Sequence, residues 1–239
     1  MVRINPDGSV GEMTAEVFHK GMGSIAERNY RPHITCARIT PDGKFLTASD
    51  VGLDQVKLYG FDAKTGAIKL VDILRCELES SPRSMIFSPD GRFAYLICQL
   101  KNCVNVYTYN SDDGMPHFEM IQQISTLGKS YNDKSAVAAI KQSVDGKYIF
   151  CSNAGDNSIA FFVRDEKTGM LTKNCVLPIS GDYPKNMCIF PDNKHIASLN
   201  HESNEITFFT IDYENGLLIQ HGKPMQVETP NCAVIKKLS

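Results

Sequence analysis

Four aspartates, Asp42, Asp90, Asp145 and Asp192, sit in the short turns TPDG, SPDG, SVDG and FPDN, at spacings of 48, 55 and 47 residues. Seven residues before each stands Thr35, Arg83, Ala138 and Lys185, and nine after each stands Val51, Gln99, Ala154 and His201. One register therefore carries two fixed cations, an amide, a hydroxyl and an imidazole. Arg grips phosphate or carboxylate in a fork, Lys as a point charge. A neutral imidazole takes a proton from water near pH 7, and N–H donors hold an oxyanion. Such a set could bind an anionic group and activate a water molecule beside it. Any one of them alone is an ordinary solvated loop residue; only the shared register groups them.

The register comes from a repeat, which also names the elements that must position these groups. Each Asp turn follows a run rich in β-formers (ITCARI, SMIF, VAAI, NMCIF) and precedes a second (KFLTAS, RFAYLIC, KYIFCSN, KHIASLN). An alternating third run comes next (QVKLYGF, CVNVYTY, SIAFFV, EITFFTI), then a second Gly turn (KTG, DDG, KTG, ENG) and a weaker fourth run. Glycine supplies the positive φ that hairpin turns need. Period-two alternation predicts strands with one face against each neighbouring sheet. Four short antiparallel strands per unit predict an all-β fold, a β-propeller with four-stranded blades, rather than a sandwich, which does not need two turn types kept in register.

The predicted boundaries are a partial blade over 1–30, blades over 31–79, 80–130, 131–180 and 181–228, and a closing strand over 229–239, all in one domain. Residues 2–18 read as the end of a third strand, a Gly turn and a fourth strand. TPNCAVIKKL reads as the first strand of a blade, with Asn231 equivalent to Arg83 and Lys185. In a propeller the innermost strands surround the axis, so these residues are expected to line one polar mouth.

The chain has 239 residues, 42% of them hydrophobic, and a net charge of −2, enough apolar material for a sizeable core. So small a charge gives no electrostatic case for nucleic acid or an anionic membrane. The eight cysteines form no C-x-x-C pair, and most lie in apolar runs, as buried free thiols do. MVRINPDGSV has no signal-peptide pattern, and no apolar run approaches the roughly 18 residues of a membrane span. A reduced, cytoplasmic protein is the expectation. Asp50 and Asp54 in D-x-G-x-D resemble part of a calcium loop, but an EF-hand needs more oxygens and a distal Glu, and Asp commonly forms turns. No metal and no cofactor is expected. GxGxxG, Walker A, HExxH and GxSxG are absent.

Several stretches together resemble the lactonase family of seven-bladed propellers, best known for 6-phosphogluconolactonase activity. They are Pro32-His33, the Asp50-Val-Gly52-Leu-Asp54 turn followed by QVKLY, Pro82-Arg83-Ser-Met before IFSPDGRFAY, AIKQSVDGKYIFCSNAGDNSIAFF and YPKNMCIFPD. A family member carries seven blades of about 45 residues, so the resemblance implies that this chain is a shortened reading of a longer one, with a five-bladed ring as the alternative. It also implies a mouth of converging His, Arg and Glu. His33 matches the first His of the family's Pro-His-x-His, whose second is Thr35 here; Arg83 matches. Gln99 stands where members usually have Glu, Ala139 where many have Glu, Ala154 where many have Arg, and Lys185 where they have Arg.

The function expected is therefore opening of a small anionic sugar lactone such as 6-phosphogluconolactone. The resemblance makes His33 the base and Arg83 a catalytic cation, with Lys185, Gln99 and Thr35 binding substrate; His201, by its position in the ring, is a second candidate base and a further substrate-binding residue. Two other readings stay open: a catalytically silent propeller that binds a metabolite or protein, and a muconate-type lactonising cyclase. Oligomeric state is not legible.

Overall fold

The structure, a computed structural model, describes residues 1–24 and 31–235. A hairpin comes first, β1 (Val2–Ile4) and β2 (Val10–Met13) around the Asn-Pro-Asp-Gly turn. The first blade holds β3 (Ile34–Ile39), β4 (Phe45–Asp50), β5 (Gln55–Phe61) and β6 (Ile68–Arg75). The second holds β7 (Pro82–Phe87), β8 (Phe93–Cys98), β9 (Cys103–Asn110) and β10 (His117–Ser125). The third holds β11 (Ala136–Gln142), β12 (Tyr148–Ala154), β13 (Ser158–Arg164) and β14 (Leu171–Pro178). The fourth holds β15 (Pro184–Ile189), β16 (His195–Asn200), β17 (Glu205–Asp212) and β18 (Leu217–Gln220), with β19 (Met225–Gln226) added to β17. Every blade is an antiparallel meander in chain order. The first strands β3, β7, β11 and β15 touch in succession, which puts them at the inner end of the blades.

The repeated turn has a mechanical cause. In the first three blades the hydroxyl two residues before the Asp donates to its carboxylate: Thr40 to Asp42 and Ser88 to Asp90 at 2.5 Å, Ser143 to Asp145 at 2.6 Å. The same carboxylates accept the backbone N–H of Lys44, Arg92 and Lys147. In the fourth blade Phe190 replaces the hydroxyl residue, and Asp192 takes the His195 ring at 2.6 Å instead. Each Asp thereby satisfies backbone donors that a tight turn leaves unpaired.

Period-two patterning buries both faces of the middle strands. All six residues of β8 are buried. Tyr95 and Ile97 join Val137, Ile149 and Phe162 of the third blade, whereas Ala94, Leu96 and Cys98 join Val56 and Leu58 of the first. Burying each large side chain contributes roughly 1.5–3 kcal/mol, so the blades are held chiefly by these interblade layers. Polar bonds add register between blades: Tyr109 and Ser111 donate to Asp42 at 2.9 and 2.5 Å, and Tyr95 donates to the Gly169 carbonyl at 3.0 Å.

Only part of the expected closing strand lies within the described residues. Residues 231–235 form no strand, although Ala233 and Ile235 pack on Cys188, Ala197 and Leu199 of the fourth blade. The remainder of that segment, 236–239, and residues 25–30 of the partial blade lie outside the described residues.

Candidate functional site

Each inner strand carries one irregularity, at the same place. Pairing of β3 with β4 shifts between Ile34 and Cys36, β7 with β8 between Pro82 and Ser84, β11 with β12 between Val137 and Ala139, and β15 with β16 between Pro184 and Asn186. The residues left over are Thr35, Arg83, Ala138 and Lys185. A β-bulge leaves one residue out of the ladder and re-aims its side chain. All four bulge residues line a single cavity of about 350 Å³. Gln99 and Ala154 join them from the ends of β8 and β12, and His33, Ala136 and Tyr183 complete the wall.

The bulges are also linked to one another. Thr35 Oγ1 donates to the Arg83 carbonyl at 2.7 Å, and Arg83 Nε donates to the Ala138 carbonyl at 2.8 Å. Arg83 Nη1 donates to Gln99 Oε1 at 2.8 Å. The guanidinium is thus aimed by two fixed acceptors. Burial lowers its pKa from the ordinary value, partly opposed by the nearby Tyr183 phenol, yet an arginine stays charged at any physiological pH. Lys185 is half-buried, and its ammonium has no hydrogen-bond or ion-pair partner among the described residues. Among the described residues that line the cavity there is no Asp or Glu. The described lining carries Arg83 and Lys185 as its fixed charges, the electrostatics of an anion site.

His33 enters from the loop before β3. Its backbone N–H donates to Asp50 Oδ1 at 2.8 Å, and its carbonyl accepts from Val51 N–H at 3.0 Å. This leaves the imidazole exposed at the cavity. The D-x-G-x-D turn holds this loop. Asp50 also accepts Gly52 N–H at 3.0 Å, and Asp54 accepts the N–H groups of Glu79 and Ser81 at 2.9 and 2.8 Å. A Cβ on Gly52 would overlap the Arg31 carbonyl, so only glycine lets the chain pass. Behind the turn lies a buried chain: His19 Nδ1 bonds Asp50 Oδ2 at 2.6 Å, and its Nε2 meets the Tyr59 hydroxyl at 2.9 Å. The His19 and Asp50 side chains are 3% and 0% exposed, so His19 helps hold the Asp that holds His33.

Four residues sit differently from the sequence expectation. His201 does not line the cavity; it lies behind Tyr183 with ring centroids 6.2 Å apart, its Nδ1 buried without a partner. Val51 is buried, and Asn231 lies outside the cavity lining, its carbonyl accepting from Asn186 Nδ2 at 3.4 Å and its own Nδ2 donating to the Thr229 carbonyl at 3.1 Å. Ala139, the position compared with a family Glu, faces the core against Phe150 and Met187, and the bulge turns Ala138 to the cavity instead. Thr35 faces the cavity, but its proton is committed to the Arg83 carbonyl.

Tyr183 and Ala136 are the described lining residues that the sequence reading missed, and of the two Tyr183 carries a functional group. Its φ is 59°, a strained conformation for a bulky side chain. Asn157 Oδ1 holds its N–H at 2.9 Å, and His201 N–H holds its carbonyl at 2.9 Å. The signal was present: nine residues before each turn Asp stand His33, Ser81, Ala136 and Tyr183. Three of these four line the cavity.

The profile of the family described as Lactonase, 7-bladed beta-propeller, matches residues 1–235. A Bacillus subtilis protein named 6-phosphogluconolactonase is 29% identical over 96% of this chain and 64% of its own. A crystal structure from Bacteroides fragilis superposes with a TM-score of 0.85 at 32% identity, covering 97% of this chain and 65% of that one. One from Lactobacillus plantarum gives 0.88 at 28% identity, covering 97% and 66%. The chain thus spans slightly under two thirds of the length of these relatives.

Proposed function

Because the chain belongs to the lactonase family of seven-bladed β-propellers, we propose that its mouth opens a small anionic sugar lactone by attack of water, with 6-phosphogluconolactone the first candidate. The observation that carries this is the clustering of His33, Arg83, Gln99, Lys185 and Tyr183 around one cavity whose described lining includes no carboxylate. In this reading the His33 imidazole accepts a proton from water as its oxygen bonds to the lactone carbonyl carbon. Charge gathers on the carbonyl oxygen and is met by the Arg83 guanidinium, which Gln99 and the Ala138 carbonyl hold in place. The ring C–O bond then breaks, and protonated His33 returns the proton to the leaving alkoxide. Lys185, with no partner to leave among the described residues, takes the substrate's anionic group. Gln99 has its NH₂ left for a substrate hydroxyl, and the Tyr183 phenol is a second donor. Such a reaction belongs to carbohydrate metabolism, in the pentose phosphate pathway, and to a reducing cytoplasm that keeps the eight free cysteines reduced.

A second reading has its own observation. Ala138 and Ala154 place methyl groups at two of the mouth positions, which favours a binder of an anionic metabolite over a catalyst. One experiment separates the two. The purified protein is mixed with 6-phosphogluconolactone, spontaneous opening is subtracted, and the product 6-phosphogluconate is titrated separately. Excess rate lost in His33→Ala supports the lactonase. Binding of 6-phosphogluconate without excess rate leaves the binder, and neither overturns both.

A further inference from the structure

We propose that Cys98 and Cys103 form a reversible disulfide under hydroperoxide, and that this bond loosens the hold of Gln99 on Arg83. The two cysteines are directly opposite each other at the end of the β8–β9 hairpin. Tyr109 N–H donates to the Arg92 carbonyl at 2.7 Å, and alternation along the unbroken ladder makes Cys98 and Cys103 a hydrogen-bonded pair. Their Cα atoms are therefore about 5.5 Å apart, within the roughly 4.4–6.8 Å that a disulfide spans. Both side chains lie in the same interblade layer.

The two thiols share a hydrogen-bond partner, Asn105. Cys103 donates to Asn105 Oδ1 at 3.7 Å, and Asn105 Nδ2 donates to Cys98 Sγ at 3.5 Å. The neighbouring Cys98 thiol lowers the Cys103 pKa from the usual thiol value, while the neighbouring Cys103 and burial raise Cys98. Cys103 is thus the better nucleophile and Cys98 the resolving thiol. Asn105 also lines a separate cavity of about 450 Å³, so a small peroxide there is one side chain from both sulfurs. Cys76 lines it too, but burial pushes its thiol up to about 12.

The chemistry balances. The Cys103 thiolate attacks the hydroperoxide, the O–O bond breaks, and Cys103 becomes a sulfenic acid while an alcohol or water leaves. Cys98 sulfur then attacks the Cys103 sulfur, the S–O bond breaks, and hydroxide leaves as water with the Cys98 proton. Two thiols are oxidised and one peroxide is reduced. The bond draws the Cβ atoms to about 3.8 Å, at the turn whose first residue is Gln99. That residue's side chain accepts from Arg83 and its N–H is bound to the Ser81 carbonyl at 2.8 Å. The consequence for substrate rests on the proposed mouth; the disulfide itself does not.

The test treats the folded protein with hydrogen peroxide and maps cystines by non-reducing digestion and mass spectrometry. Hydrogen exchange of the 99–102 turn and titration with 6-phosphogluconate follow, before and after dithiothreitol. The expected result is a Cys98–Cys103 cystine that survives in Cys76→Ser and is lost in Cys103→Ser and, independently, in Cys98→Ala. Turn exchange should quicken and any 6-phosphogluconate affinity should fall several-fold, both restored by reductant. Cystines formed only elsewhere in a cooperatively folded protein overturn the proposal. So does a Cys98–Cys103 bond that leaves turn exchange unchanged. Failure of 6-phosphogluconate to bind at all counts against the lactonase reading alone, since the cystine map and exchange need no ligand.

Discussion

Arg83 Nη1 and Gln99 Oε1 are joined by a 2.8 Å hydrogen bond within one blade, from the inner strand to the end of the next. The amide orients the guanidinium without cancelling its charge. Gln99→Glu would replace it with an ion pair and neutralise part of the mouth. We expect that substitution to keep or raise the melting temperature and to weaken 6-phosphogluconate binding several-fold. Tighter binding in Gln99→Glu would show that Arg83 is not what meets the anion.

Removing the guanidinium separates charge from structure. Arg83→Ala is expected to weaken a phosphorylated ligand by about 1.5–3 kcal/mol, the worth of a charge-assisted hydrogen bond. An unphosphorylated analogue should lose much less. Calorimetric titration of both ligands decides it, and equal losses would assign Arg83 to supporting the β7 and β11 bulges.

The bulge in β11 makes two adjacent alanines unequal. Ala139→Glu puts a carboxylate into the layer formed by Phe150, Met187 and Ile196 and is expected to cost about 3 kcal/mol or more, or to prevent folding. Ala138→Glu places the same group at the cationic cavity and should fold normally. Urea melts of the two variants check this, and similar stabilities would mean the bulge does not separate the two faces.

His19 is predicted to be structural. His19→Ala leaves the buried Asp50 carboxylate without its 2.6 Å partner and should destabilise the protein by about 3–5 kcal/mol, as breaking a buried pair does. Tyr59→Phe removes only the outer hydroxyl and should cost about 1 kcal/mol. Denaturant unfolding of both variants, followed by far-UV circular dichroism, measures the two costs.

Asp42 gives a pH dependence with a definite sign. Burial works to raise its pKa, but bonds from Ser111, Thr40, the Lys44 backbone and Tyr109 prevail and hold it at about 2. A lowered carboxyl stabilises the fold fully above its unfolded value, near 3.8, and the contribution disappears as pH falls through about 2. The stability gap between the native protein and Asp42→Asn should therefore be constant at neutral pH and close between these values. A gap unchanged down to pH 2 would falsify the assignment.

The sequence by itself determined the blades and the register of the mouth. Hairpin turns demand Gly or Asp at set places and strands bury alternate residues, so four repeats of one pattern make Thr35, Arg83, Ala138 and Lys185 equivalent in the sequence alone. Local rules of this kind act over a few residues and leave a trace at each. Which of two neighbours faces the axis depended instead on bulges, which exist only once two strands are paired, and so Ala138 rather than Ala139 reached the cavity. Tyr183 took the place expected of His201 because Asn157, 26 residues away in sequence, holds it at a positive φ that its own sequence disfavours. The lone ammonium of Lys185 and the facing thiols of Cys98 and Cys103 were likewise decided by tertiary packing, since partnership is a property of distances that spacing along the chain does not set.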